Sequence, residues 1–200
     1  DFLHTRSFQM MVEAGSMRIM EILSEATNVI AEGEVLQLMN MHDSSLDEAG
    51  YLRVIRSKTA KLFEASARLG AILANSPPGV EEACATYGQA LGTAFQIIDD
   101  VLDYDGNAAE MGKNLGDDLR EGKSTLPLIA AMERGTSSQA EVVRNAIEQG
   151  STEQLAEIVS IVRQTGALDV TRAAAFAEAR RAMAAAQRLP ANAYSEGLLE

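Results

Sequence analysis

Gly92-Thr93-Ala94-Phe95-Gln96-Ile97-Ile98-Asp99-Asp100-Val101-Leu102-Asp103-Tyr104 is the stretch on which the reading of this chain turns. It sets three carboxylates in an otherwise apolar segment. Ala94 to Ile98 reads as continuous helix, so Asp99 or Asp100 is not expected to serve as a helix N-cap, the common use of Asp. Asp99 and Asp103 lie four residues apart and Gln96 lies three before Asp99, which places them at neighbouring positions of one helical face. Ile97, Ile98, Val101 and Leu102 flank the acids and argue against a fully solvated face. An unpaired buried carboxylate costs several kcal/mol, so something positive is expected to meet it. Oxygen-only donors at this spacing suit a hard divalent cation such as Mg²⁺, which keeps few protein ligands and shares itself with phosphates.

The remainder of the chain is expected to be helical as well. Its 200 residues are 46% hydrophobic, enough for a sizeable core, while aromatics stand at 4% and Trp is absent. A composition rich in Ala and Met favours helices. The formal net charge of −12 argues against sequence-independent nucleic-acid binding, which needs a basic footprint. It also makes an anionic substrate dependent on metal ions or clustered lysines. The single cysteine, Cys84, excludes an intrachain disulfide and fits a reducing compartment. No apolar run approaches the ~20 residues that span a bilayer, and no signal-peptide pattern is present. A cytoplasmic location is expected, although a first residue Asp1 and not Met points to a processed, truncated or partial N-terminus.

Periodicity predicts a helix from Phe2 to about Ala14 and a long one from Met17 to about Met41, with a polar midsection at Glu32 to Gln37. His42 to Ser45 reads as a loop, and Ser45 with Glu48 as a capping box. A helix then runs to about Asn75, with a break near Lys58-Thr59. Ser76-Pro77-Pro78-Gly79 is a turn, and Val80 to Tyr104 is the next helix. Residues 105–124 show no clear periodicity and hold Gly106, Gly112, Gly116, Gly122, Lys113, Asp117, Asp118 and Lys123. Such a long loop in a compact chain is usually functional or disordered. Pro127 restarts a helix in a tolerated first-turn position. Thr136 with Gln139 and Ser151 with Gln154 read as further caps, Gly150 and Gly166 as helix ends, and Leu168 to Leu189 as the last long helix. There is no strand-period segment of useful length and no repeat of fixed period.

Several polar groups admit an ordinary reading beside a functional one. Lys58 and Thr59 fit surface decoration, Glu34 and Gln37 a solvent-facing pair, Lys113 and Lys123 plain loop lysines. Their company raises them: lysines in a glycine-rich loop just beyond an acidic face are placed to neutralise a diphosphate, for which Lys offers a compact point charge and Gly a close backbone approach. His4 and His42 stand outside any metal-spaced cluster, and no phosphate-loop, nucleophile-elbow or paired-cysteine motif occurs. The chemistry expected is that of metal and diphosphate, with no nucleophilic triad.

Five motifs occur in order: Gly33-Glu34-x-x-Gln37, Lys58-Thr59-Ala60-x-Leu62-Phe63, Gly92-x-Ala94-Phe95-Gln96-x-x-Asp99-Asp100-x-x-Asp103, Gly112-Lys113-x-x-Gly116-x-Asp118 and Gly122-Lys123-x-Thr125-x-Pro127. Together they resemble the trans-polyprenyl diphosphate synthases over the whole of residues 1–200, and residues 2–41 resemble the bacterial octaprenyl branch, which makes quinone side chains. The resemblance implies an all-α isoprenoid-synthase bundle around an apolar cavity, with residues 1–200 as one domain forming the C-terminal two-thirds of the family fold. It implies elongation of an allylic diphosphate, farnesyl diphosphate the expected primer, with isopentenyl diphosphate. It places Asp99, Asp100 and Asp103 at Mg²⁺, and Lys58, Lys113 and Lys123 on the diphosphate. Thr59, Gln96 and Phe95 fall near the allylic substrate and its developing cation, with Glu34 and Gln37 as supporting polar groups. It also implies a homodimer formed through the early helices, at Arg6–Glu13 and Ser24–Glu34.

The family carries a first aspartate-rich motif and basic residues upstream of the point where this chain begins, and a short closing tail beyond Glu200. The 200-residue chain alone is therefore expected to show no turnover. A terpene cyclase or head-to-head condensing synthase is an alternative that the Lys58-Thr59 and Gly112-Lys113 elements disfavour. A non-catalytic subunit of a heteromeric synthase is another, separable by whether the full reading frame holds the first aspartate-rich motif.

Overall fold

Among the described residues every regular element is a helix, as the periodicity predicts. The structure is a computed structural model and describes residues 2–105 and 115–199. In chain order the helices are α1 Phe2–Glu13, α2 Met17–Met39, α3 Glu48–Ile55, a π-helical turn Arg56–Ala60, α4 Lys61–Leu73, α5 Pro78–Asp105, α6 Asp117–Arg120, α7 Leu126–Arg134, α8 Ser137–Gln149, α9 Leu155–Gln164, α10 Ala167–Ala186 and α11 Ala193–Gly197. Gly112 and Lys113 lie outside the described residues.

Helix α5 organises the rest. Its 28 residues span roughly 42 Å at 1.5 Å per residue. Pro78 opens it, where a missing N–H leaves no bond unmade. It packs chiefly against α4 on one side and α10 on the other. The α4 side is close because α5 carries glycine there: a Cβ on Gly88 would sit 2.3 Å from the Phe63 carbonyl oxygen. Glycine inside a helix costs about 1 kcal/mol relative to Ala, and here that cost is set against a backbone-to-backbone approach no other residue permits. Toward α10, small buried side chains (Ala90, Ala94 on α5; Ala175, Ala182, Ala186 on α10) line the two helices.

Two apolar clusters support the centre. One joins Val101 and Tyr104 of α5 with Leu119, Leu128, Val143, Ile147, Ile158 and Val162. The other gathers Tyr51, Ile55, Ile97, Leu126 and Ile129, and its members on α3 and α7 bring two distant segments onto one face of α5. None of the described helices is long and apolar enough to cross a membrane.

Several local expectations are corrected. The cap of α3 is Asp47, whose carboxylate accepts the Gly50 N–H at 2.8 Å. Ser45 is diverted to Asp43, to which it donates both its N–H, at 2.9 Å, and its hydroxyl, at 2.6 Å. Ser151 likewise does not cap α9: the helix starts at Leu155, and the Ser151 hydroxyl accepts only the Glu153 N–H. The Thr136–Gln139 box forms as expected. The break near Lys58-Thr59 is a change of helix type without interruption, since α3, the π-turn and α4 run on as one continuous path. Among its described residues, the aperiodic stretch after Tyr104 forms one short helix, α6.

Candidate active site

The π-turn and the second half of α5 build the site together. A π-turn widens the helix by one residue and is common at functional sites. Here it lies against α2 at Gly33, where a Cβ would come within 2.7 Å of the Lys58 nitrogen. This approach brings the Glu34 carboxylate to the Lys58 ammonium, 3.2 Å away. The same turn aims the Thr59 hydroxyl at Gln96 on α5, and it donates to the Gln96 Oε1 at 3.0 Å.

Beyond Gln96 the hydrogen bonds continue inward. Its Nε2 donates to Asp100 Oδ1 at 2.8 Å, and the Tyr51 hydroxyl donates to Asp100 Oδ2 at 2.7 Å. Asp100 is only 2% exposed and Tyr51 3%. The loop after α6 closes the other side: Lys123 pairs with Asp118 at 2.9 Å and Glu121 at 2.8 Å. Ser124 ties this loop to the one between α2 and α3 by donating to the Asp43 carbonyl at 2.6 Å.

These groups line one cleft of about 240 Å³ that includes Gln37, Tyr51, Lys58, Thr59, Gln96, Asp99, Asp100, Asp118 and Lys123. Two lysines therefore converge with three carboxylates and two amides. Burial pushes the Asp100 carboxyl up to about 7, and the Asp118 charge adds to this against the hydrogen bonds from Tyr51 and Gln96. Burial and Asp118 also push Asp103 up to about 6, against the N–H groups of Asp118 and Asp117. Burial works to lower the Lys123 ammonium, yet its bonds to Glu121 and Asp118 outweigh this and hold it well above the ordinary lysine range. Burial and the Asp100 charge hold the Tyr51 hydroxyl protonated far past neutrality.

The sequence-predicted residues are thus sorted by the fold. Gln37, Lys58, Thr59, Gln96, Asp99, Asp100 and Lys123 reach the cleft, and Glu34 stands beside it on Lys58. Lys113 falls outside the described residues. Phe95 is 56% exposed, packs its ring 5.7 Å from that of Phe63, and is not among the residues lining the cleft. One residue before Gln96 is 100° around the helix, which turns it away. The three acids do not form one triad facing one way. Asp100 points inward, and the carboxylate of Asp103 accepts the backbone N–H groups of Asp117 and Asp118 at 3.2 and 3.3 Å. Gln96 pairs with Asp100, four residues on, and not with the Asp99–Asp103 row.

Tyr51 and Asp118 were missed as site residues. Asp118 is marked only by its place in a motif, and Tyr51 only by being an aromatic with a polar end in an apolar helix, a group that needs a partner when buried. As to a metal, among the described residues no cluster of three or more His, Cys, Asp or Glu side chains is arranged to hold one alone. The carboxylate oxygens gathered at the cleft fit a cation that is shared with a phosphate ligand, as Mg²⁺ commonly is.

Comparison with known proteins bears on this geometry. A family model described as polyprenyl synthetase matches residues 1–164. The octaprenyl diphosphate synthases of Escherichia coli (strain K12) and Haemophilus influenzae are 52% and 48% identical to the chain over 200 residues, covering 100% of it and 62% and 61% of their own lengths. A solved polyprenyl synthase from Caulobacter crescentus CB15, complexed with calcium and isoprenyl diphosphate, matches with a TM-score of 0.94 and 46% identity, covering 100% of this chain and 61% of that one. The chain therefore spans about three-fifths of the length of the curated relatives it matches.

Proposed function

Since the chain belongs to the polyprenyl synthetase family and has its all-α isoprenoid-synthase fold, we propose that the whole protein is a prenyltransferase that elongates an allylic diphosphate with isopentenyl diphosphate. The observation that carries this reading is the cleft itself, where Lys58, Lys123, Asp99 and the Thr59–Gln96 pair converge. An octaprenyl product, destined for quinone side chains, and a farnesyl primer are the finer form of the proposal. The two relatives near 50% identity carry the octaprenyl name.

In this reading Lys58 and Lys123 bind the diphosphate, with Lys113 joining them. To do so Lys58 exchanges Glu34, and Lys123 exchanges Asp118 and Glu121, for phosphate oxygens, so the charges are pre-placed and held by acids until the ligand arrives. Asp99, one turn before Asp103, would hold Mg²⁺ at the mouth of the cleft. The bound cation would neutralise the diphosphate as it departs. Gln96 presents its carbonyl oxygen and Thr59 its hydroxyl oxygen toward the carbon that gains positive charge, and fixed dipoles of that kind stabilise the charge without reorganising. The calcium and isoprenyl diphosphate with which the Caulobacter relative is complexed support a cation and an isoprenoid diphosphate as ligands here. A homodimer built on the early helices, where Leu3, Phe8, Met10 and Val12 are exposed, and a cytoplasmic location complete the proposal.

The test is incubation of the full-length protein with radiolabelled isopentenyl diphosphate, farnesyl diphosphate and Mg²⁺, followed by sizing of the dephosphorylated product. A ladder ending near eight units is expected. Absence of any elongated product, with the primer unchanged, refutes the reading.

A further inference from the structure

We propose that Asp100 is a positioning residue and not a cation ligand: with Tyr51 it locks the side-chain amide of Gln96 so that the carbonyl oxygen, and not the NH₂ group, faces Thr59 and the cleft. The inference rests on the reading of the cleft as a prenyl-transfer site, and it assigns separate tasks to adjacent aspartates of one motif.

The geometry is complete on the protein side. Each carboxylate oxygen of Asp100 already has its own donor, Gln96 Nε2 on Oδ1 at 2.8 Å and Tyr51 on Oδ2 at 2.7 Å. The group is 2% exposed, against a part-exposed Asp99. A carboxylate only accepts, so it selects the NH₂ end of the Gln96 amide. The Oε1 end is then left for the Thr59 hydroxyl, 3.0 Å away. Tyr51 in turn holds the carboxylate in that rotamer. It comes from α3, packs with Ile55 and Ile97 beneath the cleft, and has no other hydroxyl partner among the described residues. The chain Tyr51–Asp100–Gln96–Thr59 thus runs from the core to the cleft wall, and its last two members set the sign of the dipole that a developing cation meets. A carbonyl oxygen there lowers the energy of that charge, and an NH₂ group raises it.

The decisive substitution is Asp100→Asn in the full-length protein. Tyr51 donates, so it retains the oxygen of the introduced amide. The introduced NH₂ then faces Gln96, whose amide must turn over and send its own NH₂ toward Thr59. The expected result is a kcat lower by about 100-fold or more, with the Mg²⁺ concentration for half-maximal rate and the KM for the allylic diphosphate within about twofold of wild type. Tyr51→Phe keeps the volume and removes one charged hydrogen bond, for an expected loss of roughly tenfold in kcat and the same unchanged Mg²⁺ dependence. Asp99→Ala is the contrast and should raise the Mg²⁺ requirement.

A second readout needs neither metal nor substrate. The ¹⁵N–¹H side-chain resonances of Gln96 in the ligand-free protein should carry the downfield shift of an amide bonded to carboxylate, and lose it in Asp100→Asn. A raised Mg²⁺ requirement in Asp100→Asn, matching that of Asp99→Ala, would overturn the proposal, as would a wild-type kcat or unmoved Gln96 resonances. If Asp100→Asn does not fold, Tyr51→Phe decides through the same kcat and Mg²⁺ measurements. Failure of the broader reading is distinguishable, because it appears as a wild-type protein without prenyl transfer while the resonance test still stands.

Discussion

Replacing Gly88 with Ala tests whether the close packing of α4 on α5 sets the site. A Cβ at position 88 would lie 2.3 Å from the Phe63 oxygen, 2.7 Å from the Phe63 carbonyl carbon and 2.9 Å from the Glu64 Cα. Ordinary carbon contacts begin near 3.5 Å, so the shortfall is roughly 1 Å. All three atoms are backbone, and no rotamer change relieves them. The helices must part, at a cost in the upper half of the 1–3 kcal/mol typical of overpacking. Against this stands about 1 kcal/mol regained from the better helix propensity of Ala. A net loss of about 1–2 kcal/mol remains, or roughly 2–8 °C in Tm for a chain of this size. Gly70 is the control. It lies in α4, is exposed, and a Cβ there meets nothing within 4 Å, so the same substitution should raise Tm by roughly 2–4 °C. Because α4 continues from the π-turn, parting the helices also displaces Thr59 from Gln96, and an ångström of misplacement costs about 100-fold in rate. Scanning calorimetry and steady-state kinetics on both variants give the answer. A Gly88→Ala protein that melts with or above wild type and turns over normally would falsify the packing argument.

Three further outcomes are expected. Asp99→Ala in the full-length protein should slow ionisation by on the order of 10³-fold or more, read as single-turnover release of diphosphate; near-normal turnover discredits the cation assignment. Lys123→Ala should raise the KM for the allylic diphosphate about 10- to 100-fold, the worth of one charge-assisted contact, and an unchanged KM removes Lys123 from the diphosphate. Stability should depend on pH through Asp100 and Asp103, whose carboxyls sit near 7 and 6 when folded against an ordinary 3.8. Between these limits the folded chain binds more protons than the unfolded one, so their contribution is greatest in acid, declines as pH rises from about 4 to about 7, and is flat above. Urea midpoints measured across that window should fall less steeply for Asp100→Asn than for wild type, and parallel slopes would contradict the burial of Asp100.

Much of this was legible in one dimension. Helical periodicity, the Pro127 restart, the Thr136–Gln139 box and the glycine helix ends are local events, decided within a few residues by backbone hydrogen bonds and φ preferences, and they stand where the pattern puts them. Two caps failed, at Ser45 and Ser151, because several short polar side chains compete for the same N–H groups, and the path by which the chain enters the helix selects among them. The kind of chemistry proposed was legible too: oxygen donors on one helical face and lysines near it point to a cation and a diphosphate.

What a linear pattern leaves undecided is orientation. On a helix, Gln96 neighbours both Asp99 and Asp100, and Asp103 neighbours both acids. Tyr51, brought in from 49 residues away by the packing of α3 on α5, donates to Asp100 beside Gln96 and holds it inward. The same holds for Lys58 and Glu34, joined because α2 meets the π-turn at a glycine, and for Phe95, turned away by its phase on α5. Residue type and spacing specify which groups a helix offers. Which of their atoms meet a ligand depends on partners distant in sequence, and those are present only once the bundle has closed.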